Sequence, residues 1–391
     1  MVMTDFKPKT REWIERLIAF PTVSRDSNLA LIECVRDYLK ELGIESQLVH
    51  DESGMKANLY ATIGPKNERG IMLSGHTDVV PIDGQDWASD PFKVSERDGK
   101  LFGRGVADMK SFVAVVLASL PLFLKRKLAT PIHLALSYDE EVGCLGVRRL
   151  IARFDEMPVR PAICIVGEPS SMQVARGHKG KLSYRCHVHG LESHSALTHR
   201  GVNAVENAAE IIGHLRRLGR LIRQNGPFDS NFEPPYTTVH TGVIHGGTQL
   251  NIVPRDCRFD FEIRPLPSQD PVPVFEEVKA FVERELLPEM KAVSTRSGIE
   301  WQRLTEFPGL NTDEEAEVTR LVKQLTGANT TTVVAFGTEG GLFSKAGIPT
   351  IICGPGSIEQ AHKPDEWVAL DQIARCEIFL TRLADRVSAN R

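Results

Sequence analysis

Five short stretches of this 391-residue chain place histidine, aspartate or glutamate just after an apolar run or at the mouth of a helix. SGHTDVV holds His76 and Asp78, GRGVADMK holds Asp108, SYDEEVG holds Asp139, Glu140 and Glu141, GEP holds Glu168, and GPGSIEQAHKPDEW holds His362. Singly, each has a plain structural reading. An aspartate before a helix is an N-cap, paired glutamates after a strand are solvated, and a lone histidine is a satisfied polar side chain. Jointly they form a nitrogen–oxygen donor set without thiolate, which suits zinc, cobalt or manganese. Two divalent ions roughly 3.5–4 Å apart would share a bridging carboxylate. Water between them would have its pKa lowered toward about 7, and a carboxylate outside the ligand set would act as general base. The residues alone leave open which of Glu140 and Glu141 is that base.

Such a set needs a frame that brings distant segments to one rim. The short apolar runs at 71–73, 132–136, 163–166 and 350–353 read as strands buried on both faces. They alternate with helical segments such as Lys110–Lys125. The fold class is therefore α/β, with a mostly parallel, doubly covered sheet whose carboxyl ends carry the polar residues. Residues 10–43 read as one helix. The middle of the chain changes character. KLSYRCHVHG alternates from Lys181, a helix follows with apolar residues at spacings of three or four, and the order continues as strand, strand, helix, strand. That βαββαβ order predicts an inserted ferredoxin-like α+β domain at 181–295, splitting the α/β domain into 1–180 and 296–391.

Composition narrows the function classes. The chain has 47 basic and 51 acidic residues, net −4, without the basic excess of a nucleic-acid binder. Its longest apolar stretch, 112–124, is shorter than the roughly 20 residues that cross a bilayer, so no membrane partner is expected. The opening MVMTDFKPK has no apolar run before a cleavage site, so no secretory signal is expected. Seven cysteines, an odd number without CxxC, fit a reducing cytoplasm. GRGVAD begins like a dinucleotide-binding GxGxxG, but Asp108 replaces the third glycine, and a carboxylate there would repel pyrophosphate. GxSxG, HExxH and GxxxxGK[ST] do not occur, which removes support for the matching serine hydrolases, zinc proteases and NTPases.

SGHTDVVP, GRGVADMK, YDEEVG, GEPS and EQAHKPDEW resemble, in order, the motifs of the M20 family of dinuclear zinc peptidases and deacylases. The resemblance implies a zinc-peptidase-like catalytic domain, two divalent ions (Zn or Co), and hydrolysis of the amide of a small N-acyl amino acid. It assigns His76 and Glu168 to the first ion, Glu141 and His362 to the second, Asp108 to both, Glu140 as general base, and Asp78 as the carboxylate orienting His76. It makes the insert a dimerisation and lid domain of a homodimer, whose His194 reaches the partner's active site to bind the developing oxyanion. Asn251 and Arg264 match substrate-binding positions, Arg264 as a bidentate grip on a carboxylate, although Asp260, Glu262 and Arg264 on one strand face also read as a solvated ladder. In FGTEGGLF, Thr338 and Gly340 would approach the substrate. Members acting on succinylated amines carry an arginine pair before the insert; here GHKGKL puts His178 and Lys179 there, which disfavours an acidic acyl group.

Overall fold

The four apolar runs form adjacent strands in the order Ile132–Ser137, Ile71–His76, Ile163–Pro169, Thr350–Gly354, each parallel to its neighbour. Every residue in them is buried, as continuous runs covered on both faces require. This arrangement comes from a computed structural model, which describes residues 6–157 and 159–389. Residues 1–5 of the stretch read for a secretory signal lie outside those described. Toward the edges the sheet turns antiparallel, through Ala57–Ile63 and Ser46–His50 on one side and Ala175–His178 on the other. The α/β class holds, and its parallel part is the centre that carries the polar rim.

Helix Lys110–Leu124 is buried along most of its length. Pro121 in its last turn removes the N–H that would bond the Leu117 carbonyl, and the Tyr38 hydroxyl donates to that oxygen instead, at 3.4 Å. The ammonium of Lys110, fully buried, donates to the carbonyls of Leu17 and Phe20 at 3.2 and 2.8 Å, closing the end of helix Pro8–Ile18.

The single helix expected over 10–43 is two, Pro8–Ile18 and Leu29–Glu41. Pro21 cannot continue a helix, and the segment after it is held by Val79, just past strand Ile71–His76. Val79 N–H donates to Thr22 O at 2.9 Å and Ser24 N–H to Val79 O at 3.1 Å. The break thus lays Ser24 beside the segment that carries His76 and Asp78.

The chain divides into two compact units, 1–177 with 310–391, and 178–309. The second extends beyond the 181–295 expected, because strand Gly298–Phe307 pairs with Lys181–His189 along its whole length. Its sheet order is Thr238–Gly246, Asp256–Arg264, Lys181–His189, Gly298–Phe307, the antiparallel arrangement of a ferredoxin-like βαββαβ unit. Leu182, Tyr184, Cys186 and Val188 point into a core shared with Phe259, Phe261, Ile211, Leu215 and Phe275. Asn203 caps helix Ala204–Asn225 by accepting from Val205 and Glu206 N–H. The other face of this sheet is polar.

Candidate metal centre

Strand Ile71–His76 ends on an imidazole that is almost fully enclosed. Its Nδ1–H donates to the Asp78 carbonyl at 2.9 Å, with the Asp78 carboxylate at 3.5 Å, so Nε2 is aimed at the rim. There it meets Asp108 Oδ1 at 3.0 Å and Glu168 Oε1 at 3.6 Å. The other oxygen of Asp108 lies 3.2 Å from His362 Nε2, which is also 3.1 Å from Glu141 Oε2. Asp108 therefore divides its two oxygens between two donor groups, His76–Asp108–Glu168 and Asp108–Glu141–His362. The ligand atoms within each group lie within 4.8 Å of one another. Five residues that the sequence distributes over almost 290 positions meet at one rim.

The surroundings hold this geometry. Asp78 accepts from Glu140 N–H at 3.1 Å, Glu141 N–H at 3.3 Å and the Ser24 hydroxyl at 2.7 Å, so it orients the DEE turn as well as the imidazole. Glu366 accepts from the Ala107 and Asp108 N–H groups at 2.9 and 3.1 Å, and Arg104 donates to it at 2.7 Å with both side chains fully buried. Asp139 instead pairs with Lys56 at 2.6 Å. Arg104 stands inside GRGVADMK and Glu366 inside EQAHKPDEW, yet their residue types name no role; these two and Ser24 each act through a backbone or carboxylate contact visible only in three dimensions.

Electrostatics mark the site as a place for cations. Burial pushes Glu140 and Glu168 well above the carboxylate range, reinforced by the like charges around them. Burial and Asp108 raise Glu141 to about 7, and burial raises the neighbouring Glu339 to about 7. Burial opposes the charge of Asp108, but hydrogen bonds from His362 and His76 outweigh it and hold the carboxyl low. Hydrogen bonds to Asp108 and Glu141 raise His362 to about 10. Two imidazoles and a surplus of buried carboxylates fit divalent cations, whose charge would replace the shared protons.

The remaining candidates lie elsewhere. Thr338 and Gly340, expected to approach the substrate, stand in packed surroundings. Thr338 is fully buried and its hydroxyl accepts from Gly340 N–H at 3.0 Å. A Cβ at Gly340 would crowd Thr338 Oγ1 at 3.0 Å and Leu310 Cδ2 at 3.1 Å, so this glycine serves packing at the start of helix Gly340–Lys345. The residue between them, Glu339, is the one facing the charged cluster; its neighbours in sequence gave no reason to prefer it. In the second unit His194 is exposed, and its Nδ1 accepts from Ala196 N–H at 3.1 Å, which leaves the ring proton on Nε2. Asn251 stands beside it, its carbonyl accepting from Ser195 N–H at 3.1 Å. Arg264 pairs bidentately with Glu262 at 2.8 and 3.3 Å, the ladder arrangement. Lys179 spends its ammonium on the Pro234 and Tyr236 carbonyls at 2.6 and 2.7 Å.

The family model for peptidase family M20/M25/M40 matches residues 72–386. The chain belongs to this family. M20 relatives include acetylornithine deacetylases from Pasteurella multocida (strain Pm70), 35% identical over 384 residues with 96% of this chain and 97% of the relative covered, and from Shigella sonnei (strain Ss046), 36% identical with 94% of each covered. Among solved M20-fold structures, a metallo-carboxypeptidase from Sulfolobus solfataricus superposes with a TM-score of 0.75 at 18% identity, covering 97% of this chain and all of that one. A dinuclear metal-binding peptidase from Bacillus subtilis gives 0.67 at 15% identity, with 97% of each covered. As a member of M20, the chain is a hydrolytic enzyme.

Proposed function

We propose that this enzyme hydrolyses the amide of N-acetyl-L-ornithine to acetate and L-ornithine, a step of arginine biosynthesis. The observation that carries the reading is Asp108, which offers one oxygen to each of two His/Glu donor groups, with Glu140 a member of neither. The relatives named acetylornithine deacetylase, matched over nearly their whole length, support the substrate. His76 and Glu168 would hold one divalent ion, Glu141 and His362 the other, and Asp108 both. When bound, the pair supplies electrophilic activation of the acyl carbonyl and acidifies the attacking water.

The chain's own residues do the rest. Glu140 takes a proton from the water as its oxygen bonds to the acyl carbon. It then delivers that proton to the ornithine nitrogen as the C–N bond breaks. His194, with its proton on Nε2, is suited to donate a hydrogen bond to the carbonyl oxygen as charge develops, and we assign it to a partner subunit's site in a homodimer. The edge strand Thr238–Gly246, with Val243 and Ile244 exposed, supports association through a second copy. Arg264 is assigned to the substrate carboxylate, released from Glu262 on binding, and Asn251 to the same pocket. Zinc or cobalt suits the donors. The free cysteines support a cytoplasmic setting, and among the described residues no helix is long and apolar enough to cross a membrane.

A substrate panel tests this reading. N-acetyl-L-ornithine should exceed N-succinyl-diaminopimelate and N-acetyl-L-methionine in kcat/KM with either Zn²⁺ or Co²⁺ loaded. A preference for the succinylated amine would move the assignment to a desuccinylase, and a flat profile to a general aminoacylase.

A further inference from the structure

On the polar face of the second unit's sheet, three neighbouring strands bring His187, His189, Asp256 and Glu300 together. His187 and His189 are two apart on strand Lys181–His189 and so share a face. Asp256 stands opposite His189 on one neighbouring strand, and Glu300 opposite His187 on the other. We propose that His187, His189 and Asp256 form a separate site for one divalent transition-metal ion, with zinc as its representative.

The distances carry the argument. Asp256 Oδ1 lies 3.0 Å from His187 Nε2 and 3.7 Å from His189 Nδ1. Ligand atoms around a tetrahedral zinc with bonds of about 2.1 Å stand about 3.4 Å apart, between those two values. All three donor atoms fall within 4.8 Å of one another, so small side-chain rotations close the set. The outer contacts match as well. His189 Nε2 is buried and makes no hydrogen bond, yet Glu300 Oε2 stands 3.3 Å away. With Nδ1 on an ion, the proton moves to Nε2 and faces that carboxylate, the usual support for a liganding histidine. Arg255 Nε donates to the other oxygen of Asp256 at 2.8 Å, fixing which oxygen is offered. Two neutral imidazoles and one carboxylate leave the site with a single positive charge and room for water as fourth ligand. The side chains of His187, His189 and Asp256 remain 15%, 33% and 43% exposed, so an ion has access. The site lies wholly within the second unit and does not depend on the first unit's centre.

Zinc counting by equilibrium dialysis and mass spectrometry, on the full chain, tests it. Wild type should bind one equivalent more than His187→Gln/His189→Gln, whatever the count at the first centre, and melting with and without Zn²⁺ should show a zinc-dependent increment lost in the variant. Asp256→Asn, a change at a partly exposed position, provides the same comparison should the double variant fail to fold. Glu300→Gln is a positioning change and should keep the stoichiometry while weakening this equivalent about 10–100-fold. Equal zinc counts in wild type and in folded His187→Gln/His189→Gln or Asp256→Asn would overturn the proposal.

Discussion

At the residue scale, the centre turns on a division of labour among carboxylates a few ångströms apart. Asp108 is gripped by two histidines, whereas Glu140 touches neither. Glu140→Gln should therefore retain both ions by metal analysis while kcat falls about 10²–10⁴-fold, the usual worth of a positioned acid–base group. Near-normal turnover would remove it from that role. Glu141, raised to about 7 by burial and Asp108, holds its proton below that pH when no ion is present. A cation must displace that proton, so apparent affinity should rise as pH increases through about 7 and go on rising, less steeply, toward about 10, where His362 gives up its own proton. Calorimetry at pH 6 and 8 in buffers of different ionisation enthalpy should find more protons released per ion at the lower pH. His76, Asp108, Glu141, Glu168 and His362 were legible in the sequence because four follow apolar runs and Asp108 opens a helix, with the family resemblance separating Glu141 from Glu140. The roles of Ser24, Arg104, Glu339 and Glu366 were not, although the last three stand inside the quoted motifs, because their partners are distant in sequence.

At the element scale, strands approach so closely at the rim that side chains are excluded. A Cβ on Gly167 would lie 2.0 Å from the Phe112 ring, and one on Gly354 would lie 1.9 Å from Gly167 O. Gly167→Ala should cost about 1–3 kcal/mol or more by overpacking and loosen ion retention at the adjacent Glu168. Gly213→Ala in helix Ala204–Asn225, where the nearest atom is Arg217 Nη1 at 3.6 Å, should instead gain about 0.5–1 kcal/mol. Urea titration of both variants separates the two cases. His133, on strand Ile132–Ser137, is pushed down to about 4 by burial and bonds the Thr62 hydroxyl at 3.0 Å. The unfolded chain takes that proton near 6.5, so this residue's contribution is complete above that pH and is lost as pH falls through about 4, roughly 3 kcal/mol in all. His133→Gln should lose less stability than wild type between pH 7 and 4.5; parallel losses would disprove the assignment. The central strands were readable as continuous apolar runs. The break at Pro21 was missed because the flanking segments share one apolar periodicity, and only capture of Thr22–Ser24 by Val79 shows what interrupts it.

At the scale of the whole molecule, the assignment of His194 makes activity a property of two chains. Mixing His194→Ala with Glu140→Gln should restore partial turnover in the heterodimer, because one of its two sites would be fully intact. Subunit exchange confirmed by mass spectrometry with no recovery would place His194 outside catalysis. The insert's ferredoxin-like order followed from its alternation of periods, but its end did not. Its last strand is legible near 300–306, past the expected boundary at 295, and the pairing of Gly298–Phe307 with Lys181–His189 places that strand in the second unit.

The order of motifs, the donor chemistry and the class of fold follow from the sequence, since they depend on residue type and on local periodicity, which the chain carries in itself. Which oxygen of Asp108 meets which histidine, the burial of Thr338, the support of Glu366 beneath Asp108 and the meeting of three strands at His187 and His189 belong to the tertiary structure. Each is a contact between segments whose separation along the chain sets no distance in space until the sheets have closed.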